Sequence, residues 1–176
     1  MTPSPESNES IAPYHAPEAA EIKPIGVVRN SIVEPEYIHW NNVISEVIID
    51  PVHLDAIRDL YSDYSHALIL FWFHEVCMVK ERHVPQGKHD MIPEVGMFSC
   101  RCPHRPNPIG VTTVEIIDQR ANVIMVKGLD AINNTPVVDI KPYTPQFDFV
   151  CRNNETVRDA ISQSVRVPDW IFHLTY

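Results

Sequence analysis

Short apolar segments, separated by polar turns, dominate the chain between residues 25 and 143. β-Branched and aromatic residues are concentrated in them, and several show at least a partial alternation of apolar and polar positions, which is typical of strands. The predicted strands cover residues 25–28, 43–49, 66–73, 110–117, 123–129 and 137–143, the last two being joined by a predicted turn at Asn133-Asn134.

Helical patterns are short. Asp50 and Pro51 suit the start of a helix in which Leu54 and Ile57 recur at helical spacing, and residues 154–165 predict a second short helix. Sixteen prolines, concentrated in the connections, leave little room for longer helices. We therefore predict a mainly β fold: a small antiparallel β-barrel of about six or seven strands with one or two short helices.

The chain of 176 residues is 44% hydrophobic, which suffices for one packed core. We expect residues 1–22 to form a disordered acidic tail, residues 23–150 to form the barrel, and residues 151–176 to form a helix and an apolar tail that packs on the barrel or on a partner subunit. No apolar run approaches the length of a membrane span, and the start of the chain lacks the pattern of a signal peptide. The sequence therefore predicts a cytoplasmic protein with reduced cysteines and no membrane partner.

The formal net charge of −9 argues against a large nucleic-acid footprint, because proteins that grip a phosphate backbone usually present a basic face. Glutamates of the predicted tail supply part of this charge. The charge therefore weakens a nucleic-acid partner without excluding one.

Residues 101–110, RCPHRPNPIG, are the most unusual segment of the chain. Three prolines restrict the backbone around Arg101 and Arg105, and a guanidinium held on a stiff loop suits a carboxylate or a phosphate. The segment therefore predicts a site for an anionic or zwitterionic ligand.

A second candidate rim spans residues 128–143. A turn between two strands brings backbone amides, Asp130 and Asn133 to one end of the sheet, and alternation places Asp139 and Lys141 on a shared face. Asp139 and Lys141 could contact a ligand or could form only a structural ion pair.

Cys100, Cys102 and His104 are residue types that bind zinc, and alternation places the two cysteines on one face. Their spacing differs from that of common structural zinc sites. We therefore expect small packed thiols and no metal.

The order of the segments RPNPIG, GLD…TP and DIKPY resembles the TsaA/TrmO family, as do IGVV at residues 25–28 and HALILFWFH at residues 66–74. The resemblance covers roughly residues 24–148 and implies a β-barrel that binds S-adenosyl-L-methionine, works as a homodimer and transfers the methyl group. The best-known members methylate N6 of a threonylcarbamoyl-modified adenosine beside the tRNA anticodon, which makes tRNA processing the implied role.

The resemblance also implies a set of site residues. A neutral amine that accepts a methyl group must lose a proton, for which His74, His104, Asp139 and Tyr143 are candidates that the sequence does not rank. The implied cofactor-binding residues are His74, Glu75, Arg101, Arg105, Asn107, Asp130, Ala131, Ile132, Asn133, Thr135 and Lys141.

The chain departs from the family pattern at residues 34–40 and 83–93, and it lacks the C-terminal domain of longer members. Three functions therefore stay open: methylation of tRNA adenosine, methylation of a small metabolite or cofactor in the same pocket, and binding of S-adenosyl-L-methionine without catalysis.

Overall fold

The structure, a computed structural model, describes residues 21–34, 39–85, 93–148 and 165–166. The predicted acidic tail lies outside the described residues except for its last two positions. Of the predicted C-terminal helix and apolar tail, only residues 165 and 166 are described.

Six antiparallel strands close into one barrel in the order β1-β2-β7-β6-β3-β8. A separate two-stranded sheet, β4 with β5, lies in the long connection between β3 and β6. The predicted small antiparallel barrel is confirmed. The strands are β1 Gly26–Arg29, β2 Ile44–Ile49, β3 His66–Trp72, β4 Arg82–His83, β5 Val95–Gly96, β6 Ile109–Arg120, β7 Val123–Lys127 and β8 Pro136–Pro142.

Alternation along the strands fills the barrel. On β3, Ala67, Ile69 and Phe71 are buried, whereas Trp72 is 45% exposed. β3 runs between β6 and β8, so its inner residues meet apolar side chains from both neighbours. The core cluster contains Val28, Val47, Ile49, Ile57, Tyr64, Ala67, Ile69, Phe71, Val114, Ile116, Ile124, Val126, Leu129, Ala131 and Val137.

The predicted helix after Asp50 is wrong in its length. Asp50 does cap it, since its carboxylate accepts a hydrogen bond from the Val52 amide at 3.0 Å, but only a 3-10 turn, Pro51–His53, follows. The α-helix α1 is confined to Leu60–Asp63. The side-chain amide of Gln119 and the amide of Leu60 both donate to the carbonyl of Ile57, which forms a turn in place of a continuous helix. A second one-turn helix, α2 Pro145–Asp148, follows β8.

Strand pairing defines two ends of the barrel. Trp72 is opposite Ile109, Ile44 is opposite Lys127, and Val27 is opposite Pro136, so one end carries the connections 30–43, 73–108 and 128–135. We call this end the mouth. The opposite end carries the segment 50–65, the turn between β6 and β7, and α2. None of the described helices is long and apolar enough to cross a membrane.

Candidate functional site

Three connections bring most of the predicted site residues to the mouth. His74 and Glu75 follow β3 directly, and Arg101 and Asn107 lie on the segment that leads into β6. Residues 130–135 form the connection between β7 and β8. The barrel topology therefore gathers segments that are far apart in the sequence.

The turn between β7 and β8 has a defined backbone. Asn134 adopts a φ of 66°, and Gly128, at φ 91°, adopts a conformation that favours glycine. The Asn133 amide donates to the Ile32 carbonyl at 2.6 Å, and Thr135 is only 2% exposed. The predicted Asn133-Asn134 turn is confirmed, and its hydrogen bonds join it to the segment after β1.

Asn30 anchors this turn, and sequence reasoning missed it. Its side-chain amide donates to the Ala131 carbonyl at 2.8 Å and to the Ser45 hydroxyl at 2.9 Å. Its side-chain oxygen accepts from the Ile32 amide at 3.0 Å, which is the Asx-turn arrangement typical of asparagine just after a strand. The Asn-Ser pair after β1 was a signal for a turn, but its partners at residues 45 and 131 are distant in sequence.

Asp130 is a carboxylate without a partner among the described residues. Neighbouring protein removes water from the carboxyl and so raises its pKa above the ordinary value, although the residue keeps an exposed surface. Ala131, next to it, is buried and holds the backbone in place. A partly desolvated carboxylate that lacks a protein cation suits a ligand that carries an ammonium or hydroxyl donor.

Arg105 is engaged by its own loop. One guanidinium nitrogen donates to the carbonyls of Met97 and Cys100 at 3.0 and 2.8 Å, and the guanidinium lies 5.5 Å from the centre of the Phe98 ring. The first carbonyl belongs to the start of the 3-10 turn Met97–Ser99, and the second belongs to the residue just after it. Arg105, predicted to bind the cofactor, therefore holds the loop that carries Arg101.

Arg101 differs from Arg105 in its contacts. Its residue surface is exposed, and within the described residues its guanidinium makes neither a hydrogen bond nor an ion pair. Asn107 is also exposed, and its carbonyl accepts from the Ile109 amide at 2.8 Å. Both side chains are available to a ligand at the mouth.

The two halves of the long connection meet at the mouth. The Phe73 amide donates to the Pro108 carbonyl at 2.8 Å, which joins the start of the connection to its end. Next in the chain, His74 Nε2 lies 3.9 Å from a carboxylate oxygen of Glu75. His104 Nδ1 is buried and has no hydrogen-bond partner in the described part of the chain.

Asp139 and Lys141 lie away from the mouth connections. They form an ion pair at 2.7 Å on β8, opposite Leu70 and Leu68 on the outer face of β3. Both pair members are partly exposed. The structural ion pair, one of the two interpretations from the sequence, is therefore present. The two residues lie on β8, away from the mouth segment that carries Arg101.

Tyr143 lies at the opposite end of the barrel from His74. Its amide donates to the His66 carbonyl at 3.0 Å, and its ring meets the His66 ring edge-on. β3 separates the two positions by about 20 Å, given the rise of an extended strand. Burial, and then the charge of Asp148, raises the pKa of the Tyr143 hydroxyl. A tyrosine so placed does not act with His74 within one chain.

The chain is similar to known proteins. The family model of the tRNA-methyltransferase O N-terminal domain matches residues 35–149. A protein from Archaeoglobus fulgidus named S-adenosyl-L-methionine-binding protein is 35% identical over 133 residues, which are 73% of this chain and 93% of that protein. A human protein named tRNA (adenine(37)-N6)-methyltransferase is 35% identical over 112 residues, 57% of this chain and 25% of its own length.

A crystal structure of TrmO from Pseudomonas aeruginosa has a similar fold, with a TM-score of 0.62 at 28% identity. The match covers 80% of this chain and 63% of that one. The present chain therefore spans less than two thirds of the solved protein.

Proposed function

Because the chain belongs to the tRNA-methyltransferase O N-terminal domain family, we propose that it binds S-adenosyl-L-methionine and transfers the methyl group to N6 of an adenosine beside the tRNA anticodon. The relatives of this chain carry names of methyltransferases or of S-adenosyl-L-methionine-binding proteins. The observation that carries the proposal is the pair of unengaged charges at the mouth, Arg101 and Asp130, on segments that sequence and fold assign to the family.

These two residues fit the amino-acid end of the cofactor. A free guanidinium is suited to a carboxylate, and the Asp130 carboxylate is suited to an ammonium or to ribose hydroxyl groups. Arg105 cannot be the first choice for that carboxylate, because its guanidinium already binds the carbonyls of Met97 and Cys100. Of the remaining predicted contacts, His74, Glu75, Asn107 and the turn 130–135 lie at the same end of the barrel. Lys141 does not, because it lies farther along β8 in the ion pair with Asp139.

The cofactor, when bound, supplies an electrophilic methyl group. The protein's share of the reaction is alignment and exclusion of water, and a rigid turn contributes to both. Asn30 donates to the Ala131 carbonyl and so restrains the backbone next to Asp130. His74 and His104, both on the connection 73–108, are the candidates to take the acceptor's proton within this chain, because Asp139 and Tyr143 lie elsewhere.

Basic side chains at the mouth give a nucleic-acid acceptor groups to contact in spite of the net charge of the chain. The described part of the connection 73–108 carries Lys80, Arg82, Arg101 and Arg105. A phosphate backbone that approaches the mouth can therefore contact arginines and a lysine, which lie among glutamates of the same connection.

The acidic composition also favours a second candidate, a small metabolite or cofactor as methyl acceptor. A net charge of −9 opposes long-range attraction of tRNA, and the mouth also carries Glu75, Glu81 and Glu94. The names of relatives that refer only to binding keep the non-catalytic alternative in view. These alternatives are outcomes of the experiment below.

The predicted homodimer remains a proposal, and it has support on the outer face of the barrel. Trp72 and Val111 are 45% and 40% exposed, and they lie with Ile109 and Leu70 on the same outer face of β3 and β6. Apolar patches of this kind are typical of interfaces. We expect sedimentation of the full chain to give a dimer, and Trp72→Glu to give a monomer; a wild-type monomer at high concentration would contradict the dimer.

The direct test is methylation of purified tRNA by the full chain with methyl-labelled S-adenosyl-L-methionine, followed by nucleoside mass spectrometry. Calorimetric titration of the cofactor accompanies it, with Arg101→Ala and, as a matched control at the opposite end, Arg120→Ala. We expect Arg101→Ala to lower cofactor affinity about tenfold or more, since it removes a charge-assisted hydrogen bond worth about 1.5–3 kcal/mol, and Arg120→Ala to leave it unchanged.

The outcomes separate the three functions. A labelled N6-methyl nucleoside supports the proposal. Cofactor binding with transfer only to a small-molecule extract overturns the tRNA acceptor, and binding without any transfer identifies a binding module. Absence of cofactor binding overturns the proposal as a whole.

A further inference from the structure

A cluster of soft metal-binding groups lies in the long connection, apart from the charges assigned to the cofactor. It consists of His83, Cys100 and Cys102, all half-buried. His83 is on β4, and the cysteines flank Arg101. From the sequence, His104 is the third residue considered and packed thiols without a metal are expected, whereas the pairing of β4 with β5 brings His83 to the cysteines.

The three residues lie close enough to share one ion after a rearrangement of the His83 ring. Cys100 Sγ lies 3.2 Å from His83 Nε2, whereas Cys102 Sγ lies 3.8 Å from the other ring nitrogen, Nδ1. One ligand atom from each of the three residues can be chosen so that all lie within 4.8 Å of one another. Zinc bonded to sulfur at about 2.3 Å and to nitrogen at about 2.0 Å requires ligand atoms roughly 3.5–3.8 Å apart. Seating an ion therefore requires shifts of up to about 1 Å and a rotation of the imidazole that turns one nitrogen toward both sulfurs.

One backbone amide supports the sulfur of Cys100. The Cys102 amide donates to Cys100 Sγ at 3.1 Å, an arrangement that favours an anionic sulfur over a neutral one. Two thiolates held this close repel each other, and a bound cation would offset that repulsion.

We propose that His83, Cys100 and Cys102 bind one Zn²⁺ ion, with the fourth position open to water or to an external ligand. Two thiolates and an imidazole form a donor set that zinc uses when it keeps an open position. Because all three ligands lie on the connection 73–108, the ion would join its two halves around Arg101.

A bound ion would stabilise a segment that has little hydrophobic burial of its own. Met97 is the sole buried hydrophobic residue in the described part of the connection, so little apolar burial holds the segment together. A metal bound by residues seventeen and nineteen positions apart in the chain, His83 with Cys100 and Cys102, closes a loop that would otherwise cost conformational entropy to order. The ion would thereby position Arg101 without contacting it.

The test measures the metal directly and does not depend on methyl transfer. The full chain is freed of metal with a chelator, kept reduced with a phosphine, and titrated with Zn²⁺ against a chromophoric competitor. We expect one equivalent to bind. Co²⁺ in place of zinc should give the visible bands of a tetrahedral ion and thiolate-to-cobalt charge transfer in the near ultraviolet.

Three variants and two control variants test which residues bind the ion. Cys100→Ser, Cys102→Ser and His83→Gln should each weaken zinc affinity by more than about 100-fold, beyond the 10–100-fold typical of losing a supporting contact around a metal. Cys77→Ser, at an exposed thiol, and His53→Gln, at the opposite end, should bind zinc as the parent does. Circular dichroism confirms the fold, and His83→Gln gives the answer if a cysteine variant does not fold.

The proposal is overturned if the reduced protein binds less than half an equivalent, if the charge-transfer bands are missing, or if Cys100→Ser binds as tightly as the parent. A disulfide between Cys100 and Cys102 that persists in the phosphine, seen by mass spectrometry, also overturns it, because thiolates are then not available to the ion.

Discussion

The barrel and the connection 73–108 hold their conformations by different interactions. In the barrel, buried apolar residues from all six strands form one continuous cluster around Phe71. In the described part of the connection, the two strands β4 and β5 have two residues each, and the loop is held by the guanidinium of Arg105 and by the ion pair of Arg82 with Glu94. Most of the groups proposed to do chemistry therefore lie on a segment with little hydrophobic burial, as binding segments commonly do.

The largest difference in lost stability is expected between alanine variants of two phenylalanines, one in the barrel and one in the connection. Phe71→Ala, in the barrel, should lower the free energy of unfolding by about 3–5 kcal/mol, since it empties a site that is only 1% exposed. Phe98→Ala, in the connection at 78% exposure, should cost about 1 kcal/mol or less, mainly the contact with Arg105. Urea unfolding measures both, and similar losses would contradict the contrast.

Two glycines offer a similar but smaller contrast. A Cβ at Gly110, on β6, would lie 2.4 Å from the Phe71 ring, whereas a Cβ at Gly96, in the connection, would meet nothing within 4 Å. We expect Gly110→Ala to destabilise the protein by about 1–3 kcal/mol through overpacking. Gly96→Ala should change stability by less than about 0.5 kcal/mol in either direction. An equal midpoint of urea unfolding for the two variants would show that the barrel accommodates the added methyl group at residue 110 more easily than its packing implies.

Arg105→Ala tests whether the connection can loosen while the barrel stays folded. It removes hydrogen bonds to two carbonyls, each worth about 1.5–3 kcal/mol because the donor is charged. We expect hydrogen exchange to accelerate by at least about tenfold at residues 97–102. The exchange of β3 and β6 amides should stay unchanged, and acceleration throughout the barrel would show that the two regions unfold together. Arg82→Ala, which breaks the Glu94 contacts, is the matched control for a lost surface arginine.

The smallest expected effect is the pH dependence at Asp130. Its pKa is raised in the folded protein above the ordinary 3.8. At pH values between 3.8 and the raised pKa, the folded state therefore keeps a proton on this carboxyl that the unfolded state has lost. Stability from this group therefore falls as pH rises from near 3.8 through the raised pKa. Asp130→Asn should make the ligand-free protein slightly more stable at neutral pH, with no difference at pH values below both pKa values, while it weakens cofactor binding.

Thermal unfolding at several pH values measures the Asp130 effect. Asp50→Asn, at the opposite end, is the control: its carboxylate accepts the Val52 amide, so we expect no gain in stability at neutral pH. A loss of stability in Asp130→Asn at neutral pH would show that the carboxylate has a protein partner in solution.

Sequence reasoning predicted most of the barrel because its strands follow local rules. The six segments of β-branched and aromatic residues all became barrel strands, with ends shifted by a few positions, and β6 runs on to Arg120. The helix predicted after Asp50 became turns. The Ile57 carbonyl there accepts a hydrogen bond from the side-chain amide of Gln119, which lies on β6, far along the chain. No local pattern contains that contact.

The candidate site was predictable in its residue types and less so in its grouping. Arg101 and the turn at Asp130 share the mouth, as the family resemblance implied. Arg105 is engaged within its own loop, and Tyr143 lies at the far end, because an antiparallel β8 carries it away from His74. Contacts of these kinds depend on which strands pair, and the sequence of one segment does not determine its pairing partner.

The sequence by itself determined that the chain forms a small β-barrel and that it carries two arginines on a proline-restricted segment and, separately, a polar turn, since periodicity, proline placement and turn residues act over a few positions. Only the tertiary structure decided that Asn30 holds the turn, that Arg101 and not Arg105 is free for a ligand, and that His83 meets the two cysteines. Each of these joins residues far apart in the chain, and their energies arise only once barrel closure has brought the segments together.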